Sequence, residues 1–241
     1  MLADFVKAWN QGKNPDLYEL ENAAMDRDDI VWDALNAVAP WAGKTLLDLG
    51  CGTGFWLPRY ATHAREVLGV EPDVDLLDRA RSRTPAARVL HGSAEHIPLG
   101  DASVDVVHAR FAYFFPTPDN DCSAGLSEVM RILRPGGTLV VIDNDQVNGD
   151  FAELLAASSA AETQGHEDYV RGWWLAQGAR TSAVMSTWEF NTPQDLRAVV
   201  SMEFPDGTAQ PWLNANPDRR RLSYGYLLHH VSRPAAQSGM R

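Results

Sequence analysis

The chain has 241 residues, 45% hydrophobic and 22% charged, an ordinary globular composition long enough to bury a core without cross-links. Thirty-two acidic against 21 basic residues leave a formal net charge of −11, a field that repels nucleic acid and anionic membranes and suits neutral or cationic partners. Cys51 and Cys122 are the two cysteines, too few for a disulfide framework and in keeping with a reducing, cytoplasmic setting.

Asp4 and the lack of a long apolar run at the N-terminus predict no secretory leader, and TLVVI falls far short of the roughly 20 residues of a membrane span. Residues 1–40 precede the first strand-like run. Within them PDLYELENAAMDRDDIVWDALNAVAP is helical in pattern and is expected to cap the carboxyl edge of a sheet. From residue 45 strand-length apolar runs alternate with helical stretches. TLLDLG (45–50) reads as a buried strand, FWLPRYATHA (55–64) as a short helix and EVLGVE (66–71) as the next strand. A helix over 72–83 and strands at 87–92 and 103–109 follow. The helix predicted over 121–137 is stopped by Pro135 and two glycines, and TLVVID (138–143) is the fifth strand. Such alternation implies right-handed crossovers and a mostly parallel sheet with helices on both faces.

Past residue 145 the rhythm changes. Residues 149–178 predict one or two helices broken near Gly165, an insertion or lid in which Trp173 and Trp174 serve as lid or core. Strands at 181–190 and 222–231 flank a helix from Pro193 to Glu203. The expectation is one domain, an α/β Rossmann-like three-layer sandwich with a seven-stranded sheet and an N-terminal helical cap. Its parts are the cap (1–40), a ligand-binding core (45–145), the lid (149–178) and C-terminal strands and helix (179–232). DRRR (218–221) reads as a solvated helix end or turn.

LLDLGCGTGFW (46–56) carries the chemistry. In an open α/β sheet the ligand binds beyond the carboxyl ends of the strands, against the first strand-to-helix turn. A dinucleotide turn reads G-x-G-x-x-G. Here Gly50, Gly52 and Gly54 bring the third glycine one residue early, and Phe55 fills the dinucleotide position. Asp48 disfavours a pyrophosphate and suits a ligand with an ammonium group. Glu71, at the end of the second strand, is placed to accept both hydroxyls of a ribose. S-adenosylmethionine meets both requirements, and NAD only the ribose one.

LLDLGCGTGFW, VLGVEP, HGSAEHIPLGDASVDVVHARFAYFF and LSEVMRILRPGGTLVVID together resemble the successive motifs of class I S-adenosylmethionine-dependent methyltransferases, nearest to the small-molecule type of bacterial biosynthetic pathways. The likeness covers roughly residues 40–145. It implies that Asp48, Gly50, Gly52 and Gly54 hold the methionine part, Glu71 the ribose, and Pro72 the adenine pocket. Ser93, Ala94 and Glu95 of GSAE occupy the place where the family often has an acid for the adenine amine, and a serine hydroxyl accepts that bond less strongly. Arg110 and Phe111 are implied to face the methionine end and the transferable methyl, with Tyr18 of the cap at the cofactor carboxylate. The cofactor implied is S-adenosyl-L-methionine, with S-adenosyl-L-homocysteine as product.

Methyl transfer from a sulfonium is an in-line displacement in which alignment and water exclusion do much of the catalysis. An oxygen or nitrogen acceptor must still lose a proton, so His108, Tyr113, Asp143 and Asp145 are candidates at strand ends. His108 in an apolar strand also reads as a core histidine, and DND (143–145) as turn chemistry. Phe114 and Phe115 read equally as core or pocket. His91, His96 and His108 match no zinc spacing, and His229 and His230 point to opposite faces of a strand, so no metal is expected. The partners expected are a small-molecule acceptor and either a second copy or a pathway protein, with neither nucleic acid nor membrane. The competing reading keeps the fold and replaces methylation by elimination or ring closure on a biosynthetic intermediate.

Overall fold

Adjacent residues of the central strands enter two separate cores, as the two-residue strand period requires. Leu46, Val67, Val106 and Val140 pack into one, and Leu47, Leu68, Val107 and Val141 into the other. In the computed structural model, which describes residues 2, 5–7, 13–158 and 166–235, the strands are β1 (Thr45–Leu49), β2 (Glu66–Glu71), β3 (Ala87–His91), β4 (Val104–Arg110), β5 (Leu133–Asn144), β6 (Arg180–Glu189) and β7 (Arg221–Ser232). They form one sheet of order β3-β2-β1-β4-β5-β7-β6. β1 to β5 pair in parallel, and β7 runs antiparallel to both β5 and β6. The order reverses between β1 and β4, and in such a sheet that crevice is the ligand site.

The helices are α1 (Pro15–Ala24), α2 (Ile30–Val38), α3 (Leu57–Tyr60), α4 (Val74–Arg83), α5 (Ser123–Ile132), α6 (Asp150–Ala157), α7 (His166–Ala176), α8 (Pro193–Glu203) and α9 (Gln210–Ala215). Residues from α2, α3, α4, α6, α8 and α9 fill one core, and α5 with α7 the other, giving the three layers expected. Of the described residues, no helix is long and apolar enough to cross a membrane.

Three expectations change. The helix predicted over 121–137 ends at Ile132, and Leu133 already pairs with Val104 on β4. Pro135 forces the residue before it into extended backbone, so the chain enters the strand early through a register shift beside Val104. The helix predicted over 55–64 shortens to a single turn, α3, and α9 appears where no helix was predicted. Third, of the two roles open to Trp174, lid or core, it takes the core. Trp174 is fully buried, its indole stacked on His229 at 5.1 Å, with Trp173 edge-on to it. The predicted break near Gly165 lies outside the described residues.

Helices α1 and α2 form within the N-terminal segment of helical pattern. Asp26 accepts from the Val31 and Trp32 amides at 2.8 and 2.9 Å, which satisfies the start of α2. Ser186 of β6 donates to the same carboxylate at 2.7 Å. Ion pairs Arg79–Asp16 (3.1 Å) and Arg83–Glu19 (2.6 Å) join α4 to α1.

Candidate functional site

Where β1 gives way to the glycine turn, Gly52 adopts φ +57°, a left-handed conformation that costs side-chain-bearing residues free energy. A Cβ there would stand 2.8 Å from the Tyr18 hydroxyl. Gly50 and Gly54 are needed for close packing. A Cβ on Gly50 would meet Ala112 at 2.5 Å, and one on Gly54 would meet Leu57 and Ala80 at 2.9 and 3.0 Å. Gly54 therefore seats the turn against α3 and α4.

The turn opens on a cavity of about 660 Å³, within the range of small-molecule sites. Gly50, Gly52, Glu71 and Pro72 form one side of its wall, and Ser93, Ala94 and Glu95 another. Arg110, Phe111 and Tyr113 enter from the end of β4, and Tyr18 and Glu21 from the cap. Eleven of the predicted site residues thus converge on one space. Asp48, Gly54, His108 and Asp143 lie outside its wall.

Glu71 is almost fully buried, and its two oxygens accept from the Gly52 amide at 2.7 Å and the Asp73 amide at 2.8 Å. Burial pushes its carboxyl up to about 7, against the pull of those two amides. Asp48 sits beneath the turn with one buried oxygen lacking a hydrogen-bond partner. Burial raises its pKa to about 6, and Arg110 offsets part of the rise. Ser93 likewise has a buried hydroxyl with no partner. Burial raises the Tyr18 phenol to about 12, so it works as a neutral hydroxyl.

Arg110 is pinned from the cap. It donates to Asn22 Oδ1 at 2.8 Å and lies over the Trp56 ring at 4.6 Å. Burial disfavours its charge, yet Tyr18, Asp48, Tyr60 and Glu21 around it hold its pKa above the ordinary guanidinium value. Phe111 and Tyr113 have φ of 48° and 62°, strained for non-glycine residues and of the kind that gathers at functional loops. Phe111 stacks on Tyr224 at 6.3 Å. The Tyr113 hydroxyl donates to Glu95 at 2.9 Å and accepts from the Gly125 amide at 3.1 Å, so its proton is engaged in holding the loop. Phe114 is core and Phe115 lines the cavity.

His108 is fully buried, with Nδ1 3.0 Å from the Tyr60 hydroxyl and Trp41 edge-on at 5.4 Å. Burial lowers its pKa to about 3. It is a neutral core imidazole, which is the alternative its apolar strand suggested. Asp143 accepts from the Asn144 amide at 2.7 Å, and Asp145 takes the amides of Val147 and Asn148, the turn chemistry of their residue types. Glu21 and Asn22 were missed by sequence reasoning. The available signal was an acid one helical turn beyond Tyr18, on the same face. Among the described residues no cluster of His, Cys, Asp or Glu is arranged to hold a metal ion.

Residues 46–137 match the family model described as a methyltransferase domain. An uncharacterized methyltransferase of Mycobacterium tuberculosis is 38% identical over 112 residues, 46% of this chain and 44% of that protein. A malonyl-[acyl-carrier protein] O-methyltransferase of Yersinia pestis is 34% identical over 124 residues, 52% of this chain and 45% of that one. The matched stretch thus spans about half the length of these relatives. The solved structure of an S-adenosylmethionine-dependent methyltransferase from Aquifex aeolicus superposes with TM-score 0.53 at 17% identity, covering 88% of this chain and 97% of that one, a likeness of fold. Residues 46–137 of this chain are thus similar in sequence to a methyltransferase domain, and the chain as a whole shares the fold of a solved methyltransferase.

Proposed function

We propose that this protein is an enzyme that transfers a methyl group from S-adenosylmethionine to an oxygen, nitrogen or carbon nucleophile of a small molecule. The whole 241-residue chain is read as one catalytic unit. One observation carries the proposal: a single cavity gathers the glycine turn, Glu71, Ser93 and Arg110 at the crevice between β1 and β4.

The residues fit the cofactor. Asp48 and Ser93 each keep a buried oxygen without a partner, the kind of group that a ligand satisfies. Glu71 retains acceptor capacity beyond its two amide bonds, because a carboxylate offers about four lone-pair sites, and a ribose diol can use the remainder. Asp48 and Arg110 supply the opposite charges that an amino-acid end requires. When bound, S-adenosylmethionine supplies a methyl carbon on a positively charged sulfur. Phe111 and the strained loop after β4 present an aromatic face toward that end, and aromatic faces attract cations. Tyr18 closes over Gly52 and limits the entry of water. Specialised metabolism in the cytoplasm is the setting that the acidic composition, the two free cysteines and the biosynthetic resemblance support.

Calorimetry tests the reading. Binding of S-adenosylmethionine and S-adenosylhomocysteine at about micromolar Kd, roughly −8 kcal/mol, is expected, and absence of both would defeat it.

A further inference from the structure

The rim of the cavity is tied to a helix that lies outside its wall. Phe115 and Asn120 line the cavity and both are exposed, so the segment between them stands where the cavity meets solvent. That segment leaves β4 through the strained Phe111 and Tyr113 and ends at the start of α5. Within it the backbones of Thr117 and Asn120 exchange hydrogen bonds at 3.1 Å. The Asn120 side-chain amide donates to the Phe115 carbonyl at 3.1 Å. Phe115 and Asn120 are thereby joined in one body.

α7 holds this body at three points. The Tyr169 hydroxyl donates to the Thr117 carbonyl at 3.0 Å, and the Trp173 indole N–H donates to Asp121 Oδ1 at 3.3 Å. Tyr169 and Trp173 are one helical turn apart, on one face of α7, and their partners are also four residues apart. The third point is buried, where the Phe114 ring meets Trp174 at 5.7 Å. Trp174 is stacked in turn on His229 of β7, so the sheet itself is the frame from which Phe115 is placed. The two outer bonds are different in kind. They lie at exposed or half-buried groups where water competes for donor and acceptor, and segments held this way open at low cost.

Resting on the methyltransferase reading, we propose that the segment from Phe115 to Asp121 is the rim past which ligands enter and leave the site. Tyr169 and Trp173 are positioning residues that act through Phe115 and set how fast that passage is.

Surface plasmon resonance of the full chain with S-adenosylhomocysteine reads entry and exit separately. Tyr169→Phe and Trp173→Phe each keep a ring and lose the donor. Association and dissociation rates should both rise about two- to tenfold, the scale of one ordinary hydrogen bond, with Kd unchanged. Phe115→Ala should also raise both rates, and adding either α7 substitution to it should raise them no further. A merely structural weakening of the site would speed dissociation alone. Unchanged rates, a rise in dissociation alone, or full additivity with Phe115→Ala overturns the inference. If S-adenosylhomocysteine does not bind, the methyltransferase reading fails, and hydrogen exchange at the Phe115 and Asn120 amides of the free protein decides the α7 contact. Quickened exchange in both α7 variants supports it, and unchanged exchange overturns it.

Discussion

Glu71 clasps the glycine turn through Gly52, whose amide donates to its carboxylate at 2.7 Å. The residue read as ribose acceptor thus also fixes the loop that faces the ligand. Glu71→Ala removes both functions, and cofactor affinity should fall by about 1.5–3 kcal/mol, roughly ten- to a hundredfold. Calorimetry with S-adenosylhomocysteine measures the loss, and hydrogen exchange at the Gly52 amide should quicken in the same variant. Unchanged affinity would put the ribose elsewhere.

Gly52→Val should abolish cofactor binding while the protein stays folded. The new Cβ would stand 2.8 Å from the Tyr18 hydroxyl and 3.2 Å from its ring, and the left-handed backbone adds strain of about 1–2 kcal/mol. Adding Tyr18→Ala to Gly52→Ala should restore part of the binding lost in Gly52→Ala alone. A Gly52→Val protein that binds normally would show that the turn serves packing only.

Cofactor affinity should depend on pH through Glu71 and Asp48. Burial raises their carboxyls to about 7 and about 6, so both become neutral in the free protein as pH falls through that interval. A ribose diol and an ammonium group both require the ionised form. Affinity should therefore drop from pH 7.5 to 5.5, and binding near pH 7 should release protons. Calorimetry in buffers of different ionisation heat reads the release directly, and Glu71→Gln should remove most of it. For folding the sign is opposite. A raised carboxyl favours the folded state at low pH and loses that advantage as pH rises through about 6 to 7. His108, lowered to about 3, acts the other way and destabilises the fold as pH falls below its ordinary value of about 6.5.

Asp26→Asn should cost about 1–3 kcal/mol of stability, read as a lower urea midpoint. Two amides of α2 and the Ser186 hydroxyl converge on this buried carboxylate, and an amide group cannot accept from all of them. A midpoint within experimental scatter of the parent would mean that the cap does not depend on this junction.

The parallel half of the sheet could be read from apolar runs such as TLLDLG and EVLGVE, because strands buried on both faces need no alternation of polar residues. The glycine spacing, Asp48 and Glu71 pointed to the ligand because their chemistry is local to one turn and one strand end. Sequence spacing does not report which side chains share a wall once helices cross the sheet, so Glu21 and Asn22 passed unnoticed in the cap. The same limit explains His108, whose strand-end position says nothing of the Trp41 and Tyr60 rings around it. Trp173 and Trp174 read as lid or core because aromatic pairs suit either surface, and the His229 ring stacked on Trp174 sets that residue in the core.

One short helix, α1, carries Tyr18 above the glycine turn and, one turn later, Glu21 in the cavity wall and Asn22 against Arg110. The glycine turn and the Arg110 side chain are therefore mechanically geared through ten residues. A substitution that rotates this helix to reshape the wall beside Arg110 will also move Tyr18 against Gly52, so such variants will show compensating changes in cofactor affinity. Diversification of this scaffold is thereby channelled toward side-chain exchange on α1, with the helix axis held in place by its ion pairs to α4.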